Sequence, residues 1–114
     1  MALISIVEAI SYLNDAKNLL TETERSDLAL SLAIDPLQGV LIKSTGGLRK
    51  MRVGIGGRGK RGGGRVFYWY HSVGYPVVLL AMFAKNEASD LSVNETKLLT
   101  KVADQLIEDF GGRR

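Results

Sequence analysis

The sequence predicts an α+β fold: a small, mostly antiparallel β-sheet packed by N-terminal helices and a C-terminal helix. Three observations carry this. Apolar residues recur at helical spacing between residues 10 and 34. Two runs, 48–55 and 65–72, alternate with the period of a strand, and an apolar run, 76–84, follows them. Ser92 and Glu95 then form a capping box that opens an amphipathic segment. At 114 residues the chain is long enough for one modest core and too short for two, so residues 1–114 are expected to form a single domain.

Residues 3–9, LISIVEA, predict a short strand, since Ile4, Ile6 and Val7 are β-branched. From Ile10 the spacing becomes helical, with Ile10, Leu13, Ala16, Leu19 and Leu20 on one face. Thr21-x-x-Glu24 is a capping box, which predicts a second helix with Leu28, Ala29, Leu32 and Ala33 apolar. Asp35-Pro36 ends it, because the residue before proline resists the helical conformation. One long helix bent near Thr21 is the alternative for 10–34. Either way the region covers one face of the sheet.

Residues 37–47 are expected to be a connection punctuated by Gly39, Gly46 and Gly47. In the strand 48–55, Lys50 and Arg52 share one face and Met51 and Val53 the other, core-facing one. A loop, 56–64, leads to the strand 65–72. There Arg65, Phe67 and Trp69 share a face opposite Val66, Tyr68 and Tyr70. Gly74 marks a hairpin turn. The apolar run PVVLLAMFA, 76–84, suits a central strand covered on both sides, with Pro76 tolerable at its first position. The last helix should bury Leu99, Val102, Ala103, Leu106, Ile107 and Phe110 and end at Gly111-Gly112.

The charge is strongly polarised. Lys43 to Arg65 holds eight of the fifteen Lys and Arg residues, nine of the thirteen glycines and no Asp or Glu. Its formal charge is +8, against −5 for the rest of the chain. Such a patch is the footprint of a polyphosphate partner, most often nucleic acid. The glycines add backbone N–H groups that a phosphate approaches unobstructed.

Two phosphate motifs fit by letters alone. Gly54-x-Gly56-x-x-Gly59 resembles a dinucleotide fingerprint, and Gly54-x4-Gly59-Lys60 resembles an NTPase loop. Both need a helix after the loop, where a strand is expected, and Arg61 stands where the second needs Ser or Thr. A basic loop tracking a nucleic-acid backbone fits better than either, and better than a merely solvated hairpin.

The composition excludes other chemistry. With no cysteine and one histidine, thiolate sites and multi-histidine metal sites are ruled out, and no cofactor is expected. No carboxylate cluster suggests a two-metal site; Asp104, Glu108 and Asp109 read as a solvated helix face. His71 is a candidate general base, though a lone histidine at a strand end is more often structural or exposed. Trp69 and Tyr68 can stack on bases, but core packing is the commoner role. No apolar run is long enough to span a bilayer, and the start has Glu8 and no basic leader, so a cytoplasmic protein is expected.

One reaction suits basic residues alone. RNA carries its own nucleophile, the 2′-hydroxyl. Lys and Arg side chains can place the neighbouring phosphate and stabilise its developing charge. A lysine whose pKa is lowered by nearby cations can move the proton. Lys50, Arg52 and Arg65 are compatible with that chemistry.

The run GGLRKMRVGIGGRGKRGGGRVFYWY, followed by LLAMFAKNEASDLS and preceded by DPLQGVLIKSTGG, resembles the RelE superfamily of toxins from bacterial toxin–antitoxin pairs, in particular its HigB-like branch. The similarity covers roughly residues 35–110. It implies a small α+β protein that binds ribosomes and cuts mRNA in the decoding site without a metal. It also implies an antitoxin partner, HigA-like with a helix-turn-helix domain, through which alone operator DNA would be met. The family's paired basic positions fall at Lys50 and Arg52, the arginine opening its third strand at Arg65, and the basic position after the fourth strand at Lys85 or Asn86. Arg49, Arg58, Lys60 and Arg61 are expected to contact RNA. Arginine at position 86 and tyrosine near Leu91 or Ser92, found in some relatives, are both missing. The alternatives are a non-catalytic RNA- or ribosome-binding protein and a ParE-like gyrase inhibitor, a branch that shares the fold.

Overall fold

The chain starts with a short strand, β1 (Ile6–Glu8), and turns at once into α1 (Ile10–Ala16). The computed structural model describes residues 3–56, 63–84 and 91–111. β1 is shorter than the 3–9 run predicts, and α1 stops at Ala16, whose carbonyl accepts from Leu19 N at 2.9 Å and Leu20 N at 2.8 Å. The expected apolar face of α1 is only partly correct. Ile10, at the first helical position, is 77% exposed, and Tyr12 is fully buried in its stead. Leu13, Leu19 and Leu20 pack where the spacing places them.

A separate helix, α2 (Glu22–Ile34), follows, so 10–34 is not one bent helix. Its capping box is complete. Glu24 N donates to Thr21 Oγ1 at 3.1 Å, and Thr21 N donates to Glu24 Oε1 at 2.9 Å. Leu28, Leu32 and Ala33 are buried, and Asp35 caps the end ahead of Pro36.

The stretch expected as a plain connection contains a two-residue strand, β2 (Val40–Leu41). Both residues are exposed, and two residues are too few to show a period. β3 (Leu48–Val53), β4 (Gly64–Trp69) and β5 (Val77–Ala84) complete a five-stranded sheet in the order β1-β5-β4-β3-β2. β1 runs parallel to β5; every other pairing is antiparallel. β3 and β4 each end earlier than their alternation suggests. The ladder between them closes at Leu48–Trp69, and Tyr70 N then donates to Gly47 O at 3.0 Å. β5 lies between β1 and β4, which explains its apolar run.

β1 gives out at Glu8, and α1 takes over as cover for that edge of β5. Ala9 N donates to Leu79 O, the Ser11 hydroxyl donates to Leu80 O at 2.6 Å, and Asp15 accepts from Met82 N at 3.0 Å. Within β5 the register to β4 shifts between Tyr68–Leu79 and Phe67–Ala81, leaving Leu80 as a bulge residue.

The sheet has two unequal faces. Val53, Val66, Tyr68, Tyr70, Val77, Leu79 and Met82 bury against α1 and α2. On the other face, Leu48, Trp69, Val78 and Leu80 pack under α3 (Val93–Gly111) through Ala103, Leu99, Val102, Leu106, Ile107 and Phe110, as the spacing predicts. The Ser92–Glu95 capping box is formed, with Glu95 N donating to Ser92 Oγ and Ser92 N to Glu95 Oε1. Among the described residues no helix is long and apolar enough to cross a membrane.

Candidate nucleic-acid interface

α3 covers one end of its face and leaves the other to the basic residues. Strand alternation carries that face from Leu48 through Lys50 to Arg52 on β3, and from Trp69 through Phe67 to Arg65 on β4. The register sets Arg52 directly opposite Arg65, and Lys50 opposite Phe67. Across β5 it sets Phe83 opposite Arg65 and Ala81 opposite Phe67.

Facing residues on neighbouring antiparallel strands have Cβ atoms roughly 4.5–5.5 Å apart. Arg52 is exposed and Arg65 half-buried, and neither forms a hydrogen bond or ion pair among the described residues. Lys50 is half-buried beside them. Phe67, 1% exposed, meets Phe83 edge to face at 5.7 Å between centroids, giving the cations an aromatic floor. Phe83 lies outside the residues that the sequence marks for this site. Its membership of this floor depends on the bulge at Leu80, and nothing in an all-apolar run announces a bulge.

Arg49 is separated from this group. It lies on the opposite face of β3, and its guanidinium donates to Gly39 O at 2.8 Å and Leu37 O at 3.3 Å. There it holds the chain between α2 and β2. Arg58, Lys60, Arg61, Lys85 and Asn86 lie outside the described residues.

Neither aromatic candidate is available for base stacking, because Trp69 and Tyr68 are both fully buried. Trp69 Nε1 donates to Gly46 O at 2.9 Å. The Tyr68 hydroxyl donates to Pro36 O at 2.8 Å and accepts from Gly39 N at 2.9 Å. Burial pushes the Tyr68 hydroxyl above its ordinary pKa. His71 lies past the end of β4, at the far end of that strand from Arg65. It is exposed, its Nδ1 is 2.8 Å from Ser72 Oγ, and its ring is 4.5 Å from that of Tyr75.

One acidic residue outside the predicted set shapes the site. Glu24 completes the α2 cap with one oxygen, and its other oxygen accepts from Gly56 N at 2.8 Å. Gly56 has φ +56°, a conformation that favours glycine. The carboxylate therefore ties the start of α2 to the first part of the glycine-rich loop. The backbone N–H groups of Thr21 and Gly56 hold its pKa below the ordinary glutamate value. The capping box was legible in the sequence; the second bond spans 32 residues and was not.

An exposed arginine opposite a half-buried one, with a lysine beside them, can hold a phosphodiester. The guanidinium forks grip its oxygens. A family model described as the RelE toxin of the RelE / RelB toxin-antitoxin system matches residues 15–110, a span running from the last turn of α1 almost to the end of α3.

Proposed function

The chain belongs to the RelE toxin family, and from that premise we propose that it is a ribosome-dependent mRNA endonuclease of the HigB-like branch, acting without a metal. Family membership makes it the toxin of a toxin–antitoxin pair with an antitoxin as partner, and toxins of this family are generally endoribonucleases. The finer reading rests above all on Arg52 opposite Arg65, one exposed and one half-buried arginine, neither with a partner among the described residues.

In this reading the scissile phosphate sits between Arg52 and Arg65, with Lys50 beside it and Lys85 and Asn86 at the rim. The 2′-oxygen forms a bond to phosphorus as its proton leaves. The bond from phosphorus to the 5′-oxygen breaks, and that oxygen takes up a proton. The products are a 2′,3′-cyclic phosphate and a 5′-hydroxyl. The arginines stabilise the extra negative charge of the five-coordinate phosphorus, a contribution on the order of 10²–10³ in rate for one well-placed donor. Arg58, Lys60 and Arg61 grip ribosomal RNA. The antitoxin is HigA-like, with a helix-turn-helix domain.

Induced expression in a bacterial host, with growth recorded and mRNA 5′ ends mapped, tests the reading. Growth arrest with new cuts inside translated frames, lost in Arg65→Ala while ribosome binding largely survives, is the expected result. Arrest with DNA-damage signalling and intact mRNA would point to gyrase and overturn it. Loss of all activity through the loop residues alone, with Arg65→Ala only weakened, would favour a plain RNA-binding protein.

A further inference from the structure

Lys43, Lys97 and Lys101 meet in a groove of about 460 Å³ between the turn after β2 and the flank of α3. No acidic residue lines it, and it shares no residue with the Arg52–Arg65 site. All three lysines are exposed, and none forms a hydrogen bond or ion pair among the described residues. Lys97 and Lys101 are also four residues apart on one helix, a like-charge spacing that weakens a helix unless an anion lies between.

The turn carrying Lys43 is strained and tied down by hydrogen bonds. Ser44 has φ +60°, the one positive φ outside glycine among the described residues. Thr45, almost fully buried, holds it: its hydroxyl donates to Ile42 O at 2.6 Å and accepts from Leu48 N at 3.2 Å. Backbone strain of this kind persists where the surroundings over-determine it, and it collects at binding sites. Of the three remaining lining hydroxyls, those of Thr96 and Thr100 donate to carbonyls one helical turn back, and that of Ser44 is uncharged. The lysines are therefore the groove's principal donors, and they suit point contacts to phosphate.

We propose that this groove is a second RNA-phosphate site, continuous with the Arg52–Arg65 site and separate from the chemistry. One of its walls is α3, the helix that packs on the side of the sheet carrying Lys50 and Arg52. Thr45 abuts Leu48, and Arg52 lies four residues further along β3, roughly 13 Å at strand rise. An RNA strand over Arg52 and Arg65 has Lys50 as the next cation on its way to the groove. The phosphates come either from the substrate strand or from folded ribosomal RNA. This inference rests on the RNA-directed reading above.

The test uses the full chain and a variant carrying Lys43→Gln, Lys97→Gln and Lys101→Gln. Binding to a short single-stranded RNA, 2′-O-methylated so that it cannot be cut, and to purified ribosomes is measured across a range of salt. Three lost phosphate contacts make the slope of log K against log salt shallower by about 2 and lower affinity by up to about 100-fold at ~0.1 M salt. A loss on ribosomes alone assigns the groove to ribosomal RNA; a loss on both ligands assigns it to the substrate strand. The matching Lys→Arg triple variant keeps both affinities. Should the glutamine triple misfold, single variants read the same quantity, each shifting the slope by about 0.7. Unchanged affinity and slope for both ligands, or a parent protein that binds neither, overturns the proposal. Cleavage of unmodified mRNA by the parent, scored in parallel, judges the nuclease reading separately, since the groove can bind RNA whether or not anything is cut.

Discussion

Arg52 and Arg65 face each other across the β3–β4 ladder, two like charges in direct register on the end of the face that α3 leaves open. Such a pair opposes folding by roughly 0.2–1 kcal/mol. Arg52→Gln and Arg65→Gln should each leave thermal stability unchanged or slightly raised, while mRNA cleavage falls about 10²–10³-fold. Calorimetry paired with a cleavage assay checks both halves. A large drop in Tm would mean that these arginines serve the fold.

Tyr68 is expected to serve the fold instead. Its buried hydroxyl satisfies both Gly39 N and Pro36 O, which fixes the chain just before β2. Tyr68→Phe strands both groups and should cost about 2 kcal/mol or more. Denaturant titration gives the value; a change within error would show that water satisfies those groups equally well.

Tyr12 should behave in the opposite way. It is fully buried, and its hydroxyl has no hydrogen-bond partner among the described residues. Burial, then the Glu8 charge, pushes its pKa up to about 12. Tyr12→Phe removes an unsatisfied polar atom at nearly constant shape. Stability should be unchanged or rise by about 1 kcal/mol. A clear loss in a melt would reveal a partner for that hydroxyl.

Acid should loosen two helix starts. The carboxylates of Glu24 and Glu95 are both held below the ordinary glutamate value of 4.5, chiefly by backbone N–H groups of Thr21 and Ser92. A lowered folded-state pKa means that the folded state binds the proton less tightly than the unfolded chain. The stabilisation is therefore complete above pH 4.5 and is lost as pH falls through the lowered values. Tm should be flat between roughly pH 5 and 7 and decline below that. The double variant Glu24→Gln, Glu95→Gln should show a shallower acid decline; an identical profile would remove these caps as its cause.

Local patterns were legible wherever a residue's neighbours in sequence are also its partners in space. Both capping boxes, the stop at Asp35-Pro36, the apolar stripe of α3 and the shared face of Lys50 and Arg52 belong here. Each depends on contacts within about one helical turn or one strand period. Structure was not legible where the run is too short or the partner too remote. β2 has two residues and no readable period. Ile10 sits at the very start of its helix, where spacing alone cannot show that the core begins at Tyr12.

The sequence was sufficient for the class of fold, the clustering of positive charge and the side of β3 that Lys50 and Arg52 share, because composition and short periods are local properties. Tertiary structure alone decided that Arg52 meets Arg65, that Arg49 is spent on the carbonyls of Leu37 and Gly39, that Trp69 and Tyr68 are core, and that Glu24 reaches Gly56. Those are matters of register and of which helix covers which end of a sheet. Register is set by pairing between distant segments, and a slip of one residue would have turned every side chain to the other face.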